Sequence, residues 1–189
     1  MNDRPNPLHD FWVFATKPEW PTPVFLGLLF ASLAIAFLVL RRHPTQRTPR
    51  DIGIWLLRLL IGCMWWQQAL WKIPPNYDGL IFWMKQQVAH AFIPLQATLV
   101  EQLVLPNISV FGPLVFAVEV AIGVSLMLGA MTRAGACLGL AMGLNLWFGL
   151  YSAPGEWPWT YMFLIVIQAL FVIDPPGRSL GLDALKRRG

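Results

Sequence analysis

Val24-Phe25-Leu26-Gly27-Leu28-Leu29-Phe30-Ala31-Ser32-Leu33-Ala34-Ile35-Ala36-Phe37-Leu38-Val39-Leu40 is a run of seventeen residues without a charge, and Arg41-Arg42 closes it. A helix of that length covers about 26 Å of a hydrocarbon core about 30 Å thick. Such a run needs either a deep protein interior or lipid around it, and composition decides between the two. Of 189 residues, 56% are hydrophobic and only 13% charged, and the mean hydropathy is +0.53. A chain this short cannot bury that much apolar surface in its own core. The expectation is an all-α, integral membrane helical bundle embedded in a lipid bilayer.

Working outward from that run, four more apolar segments read as spans: residues 52–71, closed by Lys72 and Pro74-Pro75, then 111–128, 134–150 and the shorter 159–173. Between the second and third lies 78–105, where Leu80, Met84, Val88, Phe92, Leu95, Leu99 and Leu103 recur at helical spacing while Lys85, Gln86, His90, Gln96 and Gln102 interrupt them. That stretch is too polar to span, and the expectation is interfacial helices broken near Pro94. Gly135, Gly139 and Gly143 leave a side-chain-free stripe on the fourth span, which favours close helix packing. No internal repeat is visible.

The formal charge of +4 suggests nucleic acid in a soluble protein, but here the basic residues flank apolar spans, so no nucleic-acid partner is expected. Arg41, Arg42, Arg47, Arg50, Arg133, Arg178, Lys186, Arg187 and Arg188 fall on one side; Arg4, Lys17, Lys72 and Lys85 fall on the other. The positive-inside rule then puts the N-terminus outside and the C-terminus in the cytoplasm of a bacterial or archaeal cell membrane. The first residues lack a cleavable leader pattern, so insertion is expected to rely on the first span. Cys63 and Cys137 have no metal or disulfide spacing. His9, His43 and His90 lie outside the spans, which argues against an internal haem, and no iron-sulfur, nucleotide or metal-hydrolase motif is present. A redox role would therefore rely on a mobile cofactor such as quinone, or on carriers in a partner.

Two charges lie inside spans. Arg58 sits roughly 9 Å into the second span by residue count, and Arg58, Gly62, Trp65, Ala69 and Lys72 share one helix face. An intramembrane charge needs a partner or water, or must snorkel to headgroups. Glu119 lies roughly 12 Å into the third span, at about the depth of Asn145 and Gln168 on the fourth and fifth. Those three either form a site or tie the helices together by hydrogen bonds. Glu119 is expected to be protonated or paired with Arg58. Lys72, Tyr77, Lys85, His90, Glu156, Trp157, Trp159 and Tyr161 read as an outer rim and aromatic belt.

These residues resemble a known family. The Arg58, Gly62, Ala69, Lys72 helix is similar to the opening helix of the DoxX/DoxD group, and Glu119, Gly123, Gly129, Thr132 and Arg133 resemble its next helix and turn. The ending, Gly155-Glu156-Trp157-Pro158-Trp159-Thr160-Tyr161 and Gly177-Arg178-Ser179-Leu180-Gly181-Leu182-Asp183, resembles the DoxD type. Ala69 departs from the usual glycine. The resemblance implies a four-helix membrane domain over 51–189, preceded by a segment, 1–50, with an extra transmembrane helix. It also implies association with quinone-linked oxidoreductases of the thiosulfate:quinone type. In that reading Trp65, Trp71, Lys72 and Asn145 bind quinone, Glu119 exchanges protons and Lys72 or Arg58 stabilises reduced oxygens, with other redox subunits as partners. The alternative is an accessory subunit packed against a larger respiratory or photosynthetic complex. For the topology, a reporter enzyme active only outside the cytoplasm, fused after Gly189, is expected to be inactive; activity there overturns both the orientation and the count of five spans.

Overall fold

The computed structural model describes residues 7–17 and 19–186, and all regular structure among them is helical. Arg4, Arg187 and Arg188, which entered the charge count, lie outside the described residues. The helices run α1 (Pro7–Thr16), α2 (Pro21–Arg42), α3 (Pro49–Leu70), α4 (Asp78–His90), α5 (Pro94–Leu99), α6 (Ile108–Leu128), α7 (Thr132–Leu150), α8 (Pro158–Ile173) and α9 (Leu182–Lys186). Prolines open α2, α3, α5 and α8, where the missing N–H loses no helical bond. Thr48 caps α3 by accepting the Asp51 N–H at 3.1 Å.

Among the described residues, two helical stretches are long and apolar enough to cross a membrane, Pro21–Arg42 and Pro94–Leu128. The second revises the expectation for residues 78–105. The polar helix ends at His90, and from Pro94 the chain continues without a break into α6, through a π turn at Val100–Val104 and a 3-10 turn at Leu105–Asn107. Pro106 explains the irregular stretch: it has no N–H for the carbonyl four residues back, and its ring crowds that carbonyl. α8 is apolar but only 16 residues long.

α3 packs on α6, α6 on α7 and α7 on α8, with α2 laid against α6. Trp65, Ile122, Leu126, Ala136 and Phe171 form the buried centre. The closest approach is between α3 and α6. A Cβ on Gly62 would stand 2.9 Å from the Met127 nitrogen, and one on Gly123 would stand 3.1 Å from the Trp66 nitrogen. The two backbones touch where neither residue has a side chain. The α7 stripe works differently: Gly139 receives the Gln168 amide, Gly143 the Ile165 side chain and Gly135 the Ser125 hydroxyl. Neighbouring side chains, more than neighbouring backbones, fill the space its glycines leave.

The bundle has two distinct ends. Arg41, Arg42, Arg50, Arg133 and Arg178 gather at a basic end, where Arg50 and Asp174 pair at 3.2 Å. Trp71, Tyr77, Tyr151, Trp157 and Trp159 gather at the other, an aromatic end. Between them the outer surface is apolar, with Phe30, Leu33 and Phe37 of α2, Leu56 and Leu60 of α3, and Phe163 and Leu170 of α8 exposed. Because the atoms facing Gly62 include backbone, Gly62→Ala is expected to lower the stability of the detergent-solubilised protein by about 1–3 kcal/mol. Gly27→Ala and Gly53→Ala, at positions with open space around them, should be neutral or slightly stabilising. Thermal denaturation that ranks all three alike would rule out the close α3–α6 contact.

Candidate functional site

The α3 face that carries Arg58, Gly62, Trp65, Ala69 and Lys72 is buried along its whole length. It ends in a cation at each extreme, and each cation is held by α6. At the aromatic end the Lys72 ammonium donates to both carboxylate oxygens of Glu119, at 2.6 and 2.5 Å, and to the Gln68 carbonyl at 3.1 Å. Lys72 is 6% exposed and Glu119 2%. Position alone assigned Lys72 to the outer rim, but its side chain folds back over the last turn of α3, because helical side chains lean toward the N-terminus. The charge that was counted at the surface lies inside. The indole of Trp71 covers it, with its ring centre 4.2 Å from the ammonium, a cation–π contact that replaces water on that side.

At the basic end Arg58 is fully buried. Its Nη1 donates to the carbonyls of Leu126 and Met127, and its Nη2 to that of Leu180. Leu126 and Met127 belong to the last turn of α6, whose end closes with Gly129 at φ 68°, the Gly129 N–H on Leu126 and the Ala130 N–H on Ser125. That is a Schellman cap. The guanidinium satisfies the Met127 carbonyl that the cap leaves over, shares the Leu126 carbonyl with the Gly129 N–H, and sits at the negative end of the helix dipole. The expected Arg58–Glu119 pairing is therefore replaced by two separate arrangements, one at each end of the α3–α6 contact. The apparent depth of Arg58 has a physical cause: residues 177–182 fold underneath it as protein cover.

That cover is fastened by bonds distant in sequence. Asp183 accepts the Met131 and Thr132 N–H groups at 2.8 and 3.0 Å and the Thr132 hydroxyl at 2.8 Å. It thereby caps α7, whose own N-cap position supplies no side chain. Ser179 donates to Asp51 at 2.8 Å, and the Leu180 N–H donates to Gln46 at 2.9 Å.

Asn145 and Gln168 do not join Glu119. The Gln96 amide donates to the Asn145 side-chain and backbone oxygens, both at 2.9 Å, and so joins α5 to the C-terminal half of α7. Gln168 is fully buried against Gly139 with no hydrogen-bond partner among the described residues. Trp65 fills the core between Ile122, Leu126 and Phe171. Trp71 is 42% exposed at the aromatic end and donates to Gln68 at 3.3 Å. Trp65 and Trp71 thus face different environments and do not form two walls of one cleft. At the start of α8, Tyr161 donates to Glu156 at 2.6 Å.

Sequence reasoning missed the Lys72–Glu119 pair and the Asp183 cap. The first was within reach, since an acid buried in an apolar helix and a cation closing its neighbour have strong reason to meet. The second carried no local signal, because 51 residues separate Asp183 from Thr132. Comparison of the chain with protein families, curated proteins and solved structures returns no match.

Removing one member of a buried pair leaves the other uncompensated. Lys72→Met is therefore expected to destabilise the protein by about 3–5 kcal/mol. Lys72→Met combined with Glu119→Leu should regain most of that loss. A double variant as unstable as the sum of the single changes, in thermal denaturation, would show that the two residues do not interact.

Proposed function

We propose that this chain is a multi-pass membrane subunit of the DoxX/DoxD kind, with α3, α6, α7 and α8 as its four-helix membrane core and α2 as an added span, serving as an accessory element of a quinone-linked oxidoreductase complex. Support for the membrane context is the apolar outer sleeve between a basic and an aromatic end, the surface distribution that a bilayer selects. In the same frame the basic end faces the cytoplasm. Support for the family reading is that its residues are one another's neighbours: Gly62 meets Gly123, Lys72 meets Glu119, Gly129 lies against Arg58, and Thr132 is capped by Asp183.

The observation that carries the accessory role is that the polar groups suited to a quinone are used by the fold itself. All three Lys72 donor directions are taken, Arg58 is bound to backbone carbonyls, Asn145 is held by Gln96, and Trp65 is enclosed. Trp65 is enclosed in the core and Trp71 lies at the surface, which counts against one quinone ring held between the two. The catalytic reading keeps one specific observation, the Lys72–Glu119 pair beneath the exposed Trp71, which is a candidate proton-exchanging couple. Glu119→Gln separates the two. In the reconstituted complex, quinone-linked turnover per assembled unit is expected to stay within about twofold while the yield of complex falls. A drop of roughly 10²-fold with assembly intact would instead assign Glu119 to the chemistry.

A further inference from the structure

At the basic end, the three-residue link between α6 and α7 and the turn Pro176–Arg178 enclose an open groove of about 540 Å³, lined by Met131, Thr132, Arg133, Pro175, Arg178 and Asp183. Its two arginines are differently held. Arg133 is fixed from behind, with Nε on the Val172 carbonyl at 3.1 Å and Nη2 on the Ile173 carbonyl at 3.5 Å, and its Nη1 has no partner among the described residues. The Arg178 side chain is exposed and makes no hydrogen bond or ion pair among the described residues. The one acid in the groove is already occupied, since both Asp183 oxygens accept from the start of α7. Net positive character therefore remains.

Apolar groups adjoin these charges with unusual exposure. Met131, 67% exposed, has a left-handed backbone at φ 50°, and Ile173 is 74% exposed at the foot of α8. The exposed row on α8 continues upward through Leu170 and Val166. Paired cations at the foot of a continuous apolar track match a molecule with an anionic head and a hydrocarbon tail. Basic pockets between helix ends on the cytoplasmic side have this preference, and guanidinium groups suit phosphate through charge-assisted hydrogen bonds.

We infer that this groove seats the phosphodiester head of an anionic membrane lipid between Arg133 and Arg178, with an acyl chain laid along Ile173, Leu170 and Val166. The inference rests on the membrane reading above. Met131 then contacts the chain where it leaves the head, and the lipid becomes a wedge between the α6–α7 turn and the C-terminal cover.

The test uses the full chain, purified in mild detergent and offered phosphatidylglycerol or phosphatidylcholine, with bound lipid counted by native mass spectrometry. Wild type should retain phosphatidylglycerol preferentially. Arg178→Gln, which breaks no internal bond and should fold normally, should weaken that retention roughly fivefold, and Arg133→Gln added to it should give a similar further factor. Retention of phosphatidylcholine should not change, and Arg178→Lys should keep most of the preference. Equal retention of phosphatidylglycerol by wild type and both glutamine variants overturns the inference. So does inorganic phosphate at millimolar concentration displacing the lipid, which would make the site one for a free anion. Alkaline carbonate extraction of native membranes is done in parallel: release of the protein refutes the membrane reading itself, whereas a protein that stays in the membrane but shows no lipid preference refutes this inference alone.

Discussion

The structure depends on the antiparallel contact between α3 and α6, in which two helix backbones meet at Gly62 and Gly123 and a buried cation secures each end. In the bilayer setting proposed above, the hydrophobic effect does not drive one apolar helix against another, so close packing and interhelical polar bonds must do so. The glycine pair supplies the first and Arg58 and Lys72 the second. The two cations stand fourteen positions apart along α3 and the turn that follows it, about 21 Å for a continuous helix, and they hold α6 at two points. α7 and α8 then pack on this pair, and α2 covers α6 from the other side.

The two ends use different chemistry for the same purpose. Lys72 meets a carboxylate, and its positive charge is balanced by a full negative one. Arg58 meets carbonyls, and its charge is balanced by the partial charges of a helix terminus. The planar guanidinium, with several donors in a fixed fork, can satisfy carbonyls of adjacent residues at once, which an ammonium does less well. That difference accounts for which cation stands at which end: α6 presents free carbonyls at its C-terminus and a carboxylate nearer its middle.

The C-terminal segment converts this pair into a closed bundle. Residues 174–183 touch α3 through Asp51, the link to α3 through Gln46, α6 through Gly129 and α7 through Thr132. Gly177 and Gly181 are required because the chain passes over Gly129 at distances that leave no room for a Cβ. The consequence for function is direct. Arg58, Lys72, Glu119, Asn145 and Asp183 serve as fasteners, Gln168 stays buried without a partner among the described residues, and Arg133 and Arg178 lie exposed at the rim of the basic end.

Much of this was legible in the chain itself. The apolar runs located the main helices, the spacing of Arg58, Gly62, Trp65, Ala69 and Lys72 identified the buried face of α3, and Pro94 marked where a helix begins anew. These are local properties: periodicity of about 3.6 and the missing N–H of proline act within a few residues. What lay beyond the sequence was the partner of each polar side chain. Glu119 read as protonated or paired with Arg58 and gave no sign of Lys72, Asn145 gave none of Gln96, and Asp183 none of Thr132. Those choices depend on the relative register of helices distant in the chain, which is set by how glycines and side chains interdigitate in three dimensions. The sequence alone determined which segments are helical and which of their faces are buried; only the tertiary structure decided which charge meets which, because a hydrogen bond is sensitive to displacements of about 0.5 Å, far finer than any residue count resolves.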